Sequence, residues 1–152
     1  KSKNINNLVK NIFMGVIAKN KNQVKLFYNS NTLNGGQTHA YVQSMKQRLL
    51  AIDTAKVKIT GTQWSELAEG LNIKIADLID RSHPDFKNEY GDVNVQLDDF
   101  GWLKILSNHP QLVRRPILVK GDNTYFIETP SEINQYIAPD SAGIDKPYKK
   151  VR

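Results

Sequence analysis

Near the C-terminal end, two apolar runs, RPILVK (115–120) and TYFIE (124–128), are separated only by Gly-Asp-Asn. No other feature restricts the possible folds so strongly. β-Branched and aromatic residues on both sides of a short Gly/Asp/Asn link specify two antiparallel strands joined by a tight hairpin. Behind them comes Thr129-Pro130-Ser131-Glu132, a capping-box pattern with proline at the first helical position. Ile133, Tyr136 and Ile137 then supply one apolar helical face. The chain therefore ends β-β-α, with a helix placed to cover one side of the hairpin.

The start of the ordered sequence reads differently. QVKLFYN (23–29) has the composition of a strand, and NSNTLNGGQTHA (29–40) is a polar link with two glycines. Val42, Met45, Leu49 and Ile52 follow at i, i+3, i+7 and i+10, the spacing of one helix face. KVKIT (56–60) is read as a second strand. Helices then dominate. Thr62 is read as the N-cap of a helix with Trp64, Leu67, Ala68 and Leu71 inward, and Asn72 as the cap of the next, with Ile75, Leu78 and Ile79 inward. SHPDFKNEYG (82–91) is a turn or short helix, and Asp98 or Asp99 opens DDFGWLKILSNH, which stops at Pro110. The order is β-α-β, a helical block at about 61–109, then β-β-α. Such a chain builds an α/β protein with one mixed four-stranded sheet, the thioredoxin-like arrangement. No internal repeat is evident.

A chain of 152 residues is most simply one domain. Its net charge of +6 is uneven: residues 1–52 hold eight Lys/Arg and no Asp or Glu, and KPYKKVR at the end adds four more cations. Residues 1–22 are read as a basic extension, with Met14 as a candidate natural start, and 139–152 as a basic tail. Basic ends attract anionic partners. No RNA-binding aromatic signature, zinc spacing or long basic helix accompanies them, so a nucleic-acid role is not favoured. No segment approaches the roughly 20 apolar residues a membrane span needs, and a cytoplasmic protein is the expectation. There is no cysteine, which removes disulfides, thiolate catalysis and Cys-ligated metal. No catalytic triad, dinucleotide-binding glycine motif or metal cluster is visible. DVNVQLDD (92–99) lacks the glycine turn and closing glutamate of a calcium loop.

LKILSNHPQLVRRPILVKGD (103–122), continued by ETPSEINQYI (128–137), resembles the arsenate reductase (ArsC) and Spx family of glutaredoxin-related proteins. The first strand and loop at 24–38 and the helices around ELAEGLNIKIADLI (66–79) agree with it in order and length. The resemblance makes 23–138 an ArsC-like thioredoxin-fold domain with a helical insertion. It implies that Pro116 is a cis proline beside the active-site loop and that Arg115 helps hold a bound oxyanion; a guanidinium fork suits that task. Without the resemblance, Arg115 reads first as the partner of a carboxylate at the strand start; with it, that reading and the oxyanion role stand equal, and Arg114 falls on a variable position of the family and reads as exposed.

The family's chemistry depends on a cysteine in the loop after the first strand. That position falls on Thr32, or on Leu33 one residue along, and the second Spx-type cysteine falls on Gly35 or Gly36. A threonine hydroxyl needs an adjacent base to act as nucleophile. His39, His83 and His109 read as surface or capping residues instead. Two further oxyanion arginines of the family fall on Asp80, with Arg81 one step off, and on Thr129. No catalytic residue is therefore assigned, and whether the chain is an enzyme stays open. The candidates for a retained anion or glutathione site are Thr32, Asn34, Gly35, Arg115 and Pro116, with glutathione as ligand or co-substrate and no metal. The alternative is an Spx-like interaction module whose partner is the RNA polymerase α-subunit.

Overall fold

The computed structural model describes residues 23–45, 49–91 and 94–137. The readings of residues 1–22, including Met14, and of 139–152 lie outside the described residues.

Strand β1 (Val24–Tyr28) is buried at all five positions, as a central strand covered on both faces must be. It pairs in parallel with β2 (Leu50–Asp53) and antiparallel with β3 (Ile117–Lys120), which pairs antiparallel with β4 (Asn123–Phe126). The sheet order is β2-β1-β3-β4. Helix α1 (Leu33–Gln43) connects β1 to β2. Between β2 and β3 lie α2 (Gly61–Leu71), a 3-10 turn (Ile75–Leu78), α3 (Pro84–Tyr90), α4 (Asp99–Asn108) and a second 3-10 turn (Pro110–Leu112). A 3-10 turn at Pro130–Ile133, followed by a helical turn over 134–137, closes the described chain.

The twofold alternation of strand side chains splits the core in two. Phe27, Ile52, Ile117 and Val119 pack with Trp64, Leu67, Phe86, Trp102 and Leu106 of the helical block. Val24, Leu26, Tyr28 and Leu118 pack on the other face with Val42 of α1 and with Ile127, Ile133 and Ile137. Lys25 lies in the middle strand, nearly fully buried, and burial pushes its ammonium pKa down.

Several local expectations change. The apolar repeat 42–52 is two elements, because α1 ends at Gln43 and Leu50–Asp53 is recruited into the sheet beside β1. The segment 56–60 is not a strand; Lys56 and Val57 N–H both turn back onto the Asp53 carbonyl (2.9 and 2.8 Å). Helix α2 is capped by Thr60 rather than Thr62. Thr60 Oγ1 accepts from Gln63 N–H (3.1 Å), and Gln63 Oε1 accepts from Thr60 N–H (2.9 Å), so both first-turn donors are satisfied reciprocally. Asn72 ends α2 instead of opening a helix: it sits at φ 61°, a left-handed position that asparagine tolerates. Thr129 makes no side-chain cap, and Glu132 Oε1 accepts from Glu128 N–H (2.9 Å), one residue earlier than the pattern implied.

The hairpin itself is tighter than its sequence suggests. Lys120 pairs with Asn123, leaving Gly121-Asp122 as the loop, and Gly121 takes the positive φ (60°) that its first central position requires. Asp98 opens α4 by accepting from Gly101 N–H (2.8 Å).

Candidate functional site

Where β1 ends, the chain must turn sharply into α1, and a hydrogen-bonded clamp fixes that turn. Asn29 is buried. Its Nδ2 donates to Thr54 Oγ1 (3.1 Å), and its Oδ1 accepts from Asn31 N–H (2.8 Å). Asp53, at the end of β2, accepts from Ser30 N–H and Ala55 N–H through Oδ1, both at 3.0 Å. Desolvation pushes the Asp53 carboxyl upward. The Ser30 side chain and N–H, the Ala55 N–H and the charge of Lys56 together outweigh it and hold the carboxyl below its ordinary value.

Thr32 is the N-cap of α1. Its hydroxyl donates to the Asn29 carbonyl (2.9 Å) and accepts from Gly35 N–H (3.0 Å). That hydroxyl is already engaged on both sides, and no His, Asp or Glu side chain among the described residues hydrogen-bonds to it. His39 stacks its ring on Tyr28, with centroids 4.3 Å apart and planes 10° from parallel. The other position on which the cysteine could fall, Leu33, is the first residue of α1 and is 79% exposed. Asn34 Oδ1 accepts from Thr38 Oγ1 (3.1 Å). The N–H groups of Leu33 and Asn34 have no backbone acceptor among the described residues, as the first turn of a helix dictates.

Gly35 serves the fold. A Cβ there would stand 2.1 Å from the Asn29 carbonyl oxygen, so the close approach it permits is to its own chain. It does not line the cleft described next. Gly36 has open space around it.

The helical block reaches the segment before β3 through an antiparallel bridge, Ile79 to Val113. Asp80 N–H donates to the Leu112 carbonyl and Arg114 N–H to the Leu78 carbonyl, both at 2.8 Å. Gln111 Nε2 donates to Asp85 Oδ2 (3.1 Å). This stitching sets the insertion and the Arg-Arg-Pro segment beside the β1–α1 loop, and a cleft of about 530 Å3 opens where the three meet. Thr32, Leu33, Asn34, Arg115 and Pro116 all line it, so the structure brings together four of the five expected residues plus Leu33.

Arg115 is half-buried in this cleft and makes no hydrogen bond or ion pair with any described residue. The carboxylate partner at the strand start is absent among them. Arg114 is exposed as expected, but it also lines the cleft; its Nη1 donates to the Asp77 carbonyl (3.2 Å), and its guanidinium lies 6.0 Å from the Phe126 ring centre. No peptide bond among the described residues is cis, so Arg115–Pro116 is trans, against the expectation for Pro116. The ordinary preference of X–Pro bonds is trans, and here the Pro116 carbonyl is tied to β4 by accepting from Ile127 N–H (2.9 Å).

Asp80 lines the cleft as a carboxylate where the resemblance placed an arginine. Arg81, one step along, is turned to Trp102, with its guanidinium carbon 4.5 Å from the ring centre. Thr129, where the resemblance placed the other arginine, does not line the cleft. His83 does line it and caps α3, its Nδ1 accepting from Asp85 N–H (3.0 Å). His109 ends α4 and meets Tyr90 edge-on, with centroids 6.2 Å apart. Sequence reasoning missed Asn29, Asp53, Asp85 and Gln111 at this site. The one local signal was His-Pro-Asp, a helix start that puts Asp85 in a first turn. Among the described residues, no three His, Asp or Glu side chains gather as a metal site, and no helix is long and apolar enough to cross a membrane.

The mixed sheet in the order β2-β1-β3-β4, with helices on both faces and the cleft at the β1–α1 loop, defines a thioredoxin-like α/β protein. Solved structures that share this fold include proteins described as arsenate reductases or as ArsC-related. An arsenate reductase from Vibrio cholerae superimposes with a TM-score of 0.63 at 18% identity, over 78% of this chain and 100% of its own. An arsenate reductase (ArsC) related protein from Brucella melitensis gives 0.57 at 15% identity, over 75% of this chain and 93% of its own. No protein-family model matches the sequence, and no curated protein matches it either.

Proposed function

We propose that this chain is an arsenate reductase-related protein of the ArsC type that has no thiol-dependent reductase chemistry and keeps its cleft as a site for a small anion or glutathione. The observation that carries this reading is Arg115, a half-buried guanidinium in the cleft with no protein partner among the described residues. Beside it, the N–H groups of Leu33 and Asn34 at the start of α1 add donors with the favourable sign of the helix dipole. A carboxylate or tetrahedral oxyanion is the natural acceptor for such a set.

Reduction by the cysteine route that the family resemblance implies is a different matter. With no cysteine in 152 residues, and Thr32 committed to capping α1, the loop supplies no sulfur nucleophile. Binding of an anion or glutathione is the function that Arg115, partnerless among the described residues, supports.

A thermal-shift titration with arsenate, phosphate, sulfate and glutathione, on wild type and on Arg115→Ala, tests this. Ligand at a hundredfold over its dissociation constant adds about 2.7 kcal/mol of stability. Stabilisation of the wild type that disappears in Arg115→Ala is the expected result. No stabilisation by any ligand overturns the reading and turns attention to the interaction module, tested by pull-down of the RNA polymerase α-subunit.

A further inference from the structure

The cleft holds more negative charge than a simple oxyanion site would. Asp80 and Asp85 line it together with Arg114 and Arg115, so two carboxylates offset two guanidinium groups. A carboxylate beside a bound phosphate or arsenate repels it, by an amount that grows as water is excluded. The same carboxylates are an asset to a ligand that brings its own cation.

Each has one oxygen committed and one spare. Asp80 Oδ1 accepts from Ser82 N–H (3.0 Å) and Ser82 Oγ (2.6 Å), and Asp85 Oδ2 accepts from Gln111 Nε2 (3.1 Å). Asp80 Oδ2 and Asp85 Oδ1 accept no hydrogen bond from any described residue. His83 Nδ1 is occupied as an acceptor, so the neutral ring carries its proton on Nε2 as a further donor. Spare donors and spare acceptors thus share one cavity of about 530 Å3, within the range of small-molecule sites and far roomier than one oxyanion needs. Leu33 and Val113 give it an apolar wall.

We infer that the cleft takes a small zwitterion of the amino-acid or short-peptide class. Its carboxylate docks on Arg115, its ammonium on Asp80 Oδ2 and Asp85 Oδ1, and its side chains rest on Leu33 and Val113. This rests on the cleft being the binding site proposed above, and it adds the requirement for a positive charge on the ligand.

Thermal-shift titrations of the full chain with S-methylglutathione, its N-acetylated form, glycylglycine and inorganic phosphate decide it, on wild type, Arg115→Ala and Asp80→Asn. The amide of Asp80→Asn keeps an Oδ1 acceptor for Ser82, so the local turn is preserved. S-Methylglutathione and glycylglycine are expected to stabilise the wild type. N-acetylation, which removes the ammonium, should weaken binding at least tenfold. Asp80→Asn should weaken the zwitterions and tighten phosphate, since it removes an attraction for one and a repulsion for the other. Equal binding of the acetylated ligand, or tightening of both ligand types by Asp80→Asn, overturns the inference while leaving the anion site standing. Failure of every ligand on the wild type overturns both. Should Asp80→Asn not fold, the acetylated ligand on the wild type still gives the answer.

Discussion

Gly35 and Gly36 are neighbours on α1 with opposite roles. A Cβ at Gly35 would collide with the Asn29 carbonyl at 2.1 Å, a backbone atom held by Thr32 and unable to move aside. Gly35→Ala should cost about 1–3 kcal/mol or more, as overpacking does. Gly36→Ala meets nothing and should gain about 0.5–1 kcal/mol from helix propensity. Urea unfolding midpoints with unchanged slopes read both. Asp53 makes a pH prediction. Its folded pKa is held below the unfolded value of about 3.9. The stability it contributes is therefore complete above that value and is lost as pH falls through the folded pKa. Asp53→Ala should cost about 1–3 kcal/mol at neutral pH by stranding the Ser30 and Ala55 N–H groups. Asp53→Asn, which keeps an oxygen acceptor but no charge, should show a flatter loss of stability below about pH 4. Denaturant titrations at stepped pH check this.

The fit between α2 and β4 rests on a second glycine. A Cβ at Gly70 would lie 2.3 Å from Thr124 Oγ1 and 3.0 Å from its Cβ. Gly70→Ala should destabilise by about 1–3 kcal/mol, and adding Thr124→Ala should recover part of that loss, a coupling that a double-mutant cycle measures. Thr60→Ala, which opens the α2 capping box, should cost about 1 kcal/mol, whereas Thr62→Ala should be close to neutral. That contrast also shows what was legible in the sequence. T-G-T-Q contains both threonines, and only the reciprocal spacing of Thr60 and Gln63 distinguishes them. The terminal hairpin could be read because Gly121 and the strand residues around it act locally. The repeat Val42–Ile52 misled because its residues are equally compatible with a strand, and the parallel pairing with β1 that makes Leu50–Asp53 one is a tertiary event.

The cleft exists only because three distant segments converge: the β1–α1 loop, the insertion around Asp80 to Asp85, and the Arg-Arg-Pro link before β3. The outer two were marked by the family resemblance, which set its cysteine position on Thr32 and its oxyanion arginine on Arg115, since a glycine-containing loop and an Arg-Pro strand start are weak signals by themselves. The third was not, because Asp85 and Gln111 acquire their roles only through the Ile79–Val113 bridge. Nor did the sequence disclose that Arg115 lacks a protein partner, which is a property of everything around it. Titration of the 15N-labelled full chain with glutathione, following backbone amide shifts, tests the binding site most directly. Saturable shifts concentrated at Leu33, Asn34, Asp80 and Arg115, and abolished by Arg115→Ala, are the expected result. Shifts centred elsewhere, or none at all, would contradict a ligand site in this cleft.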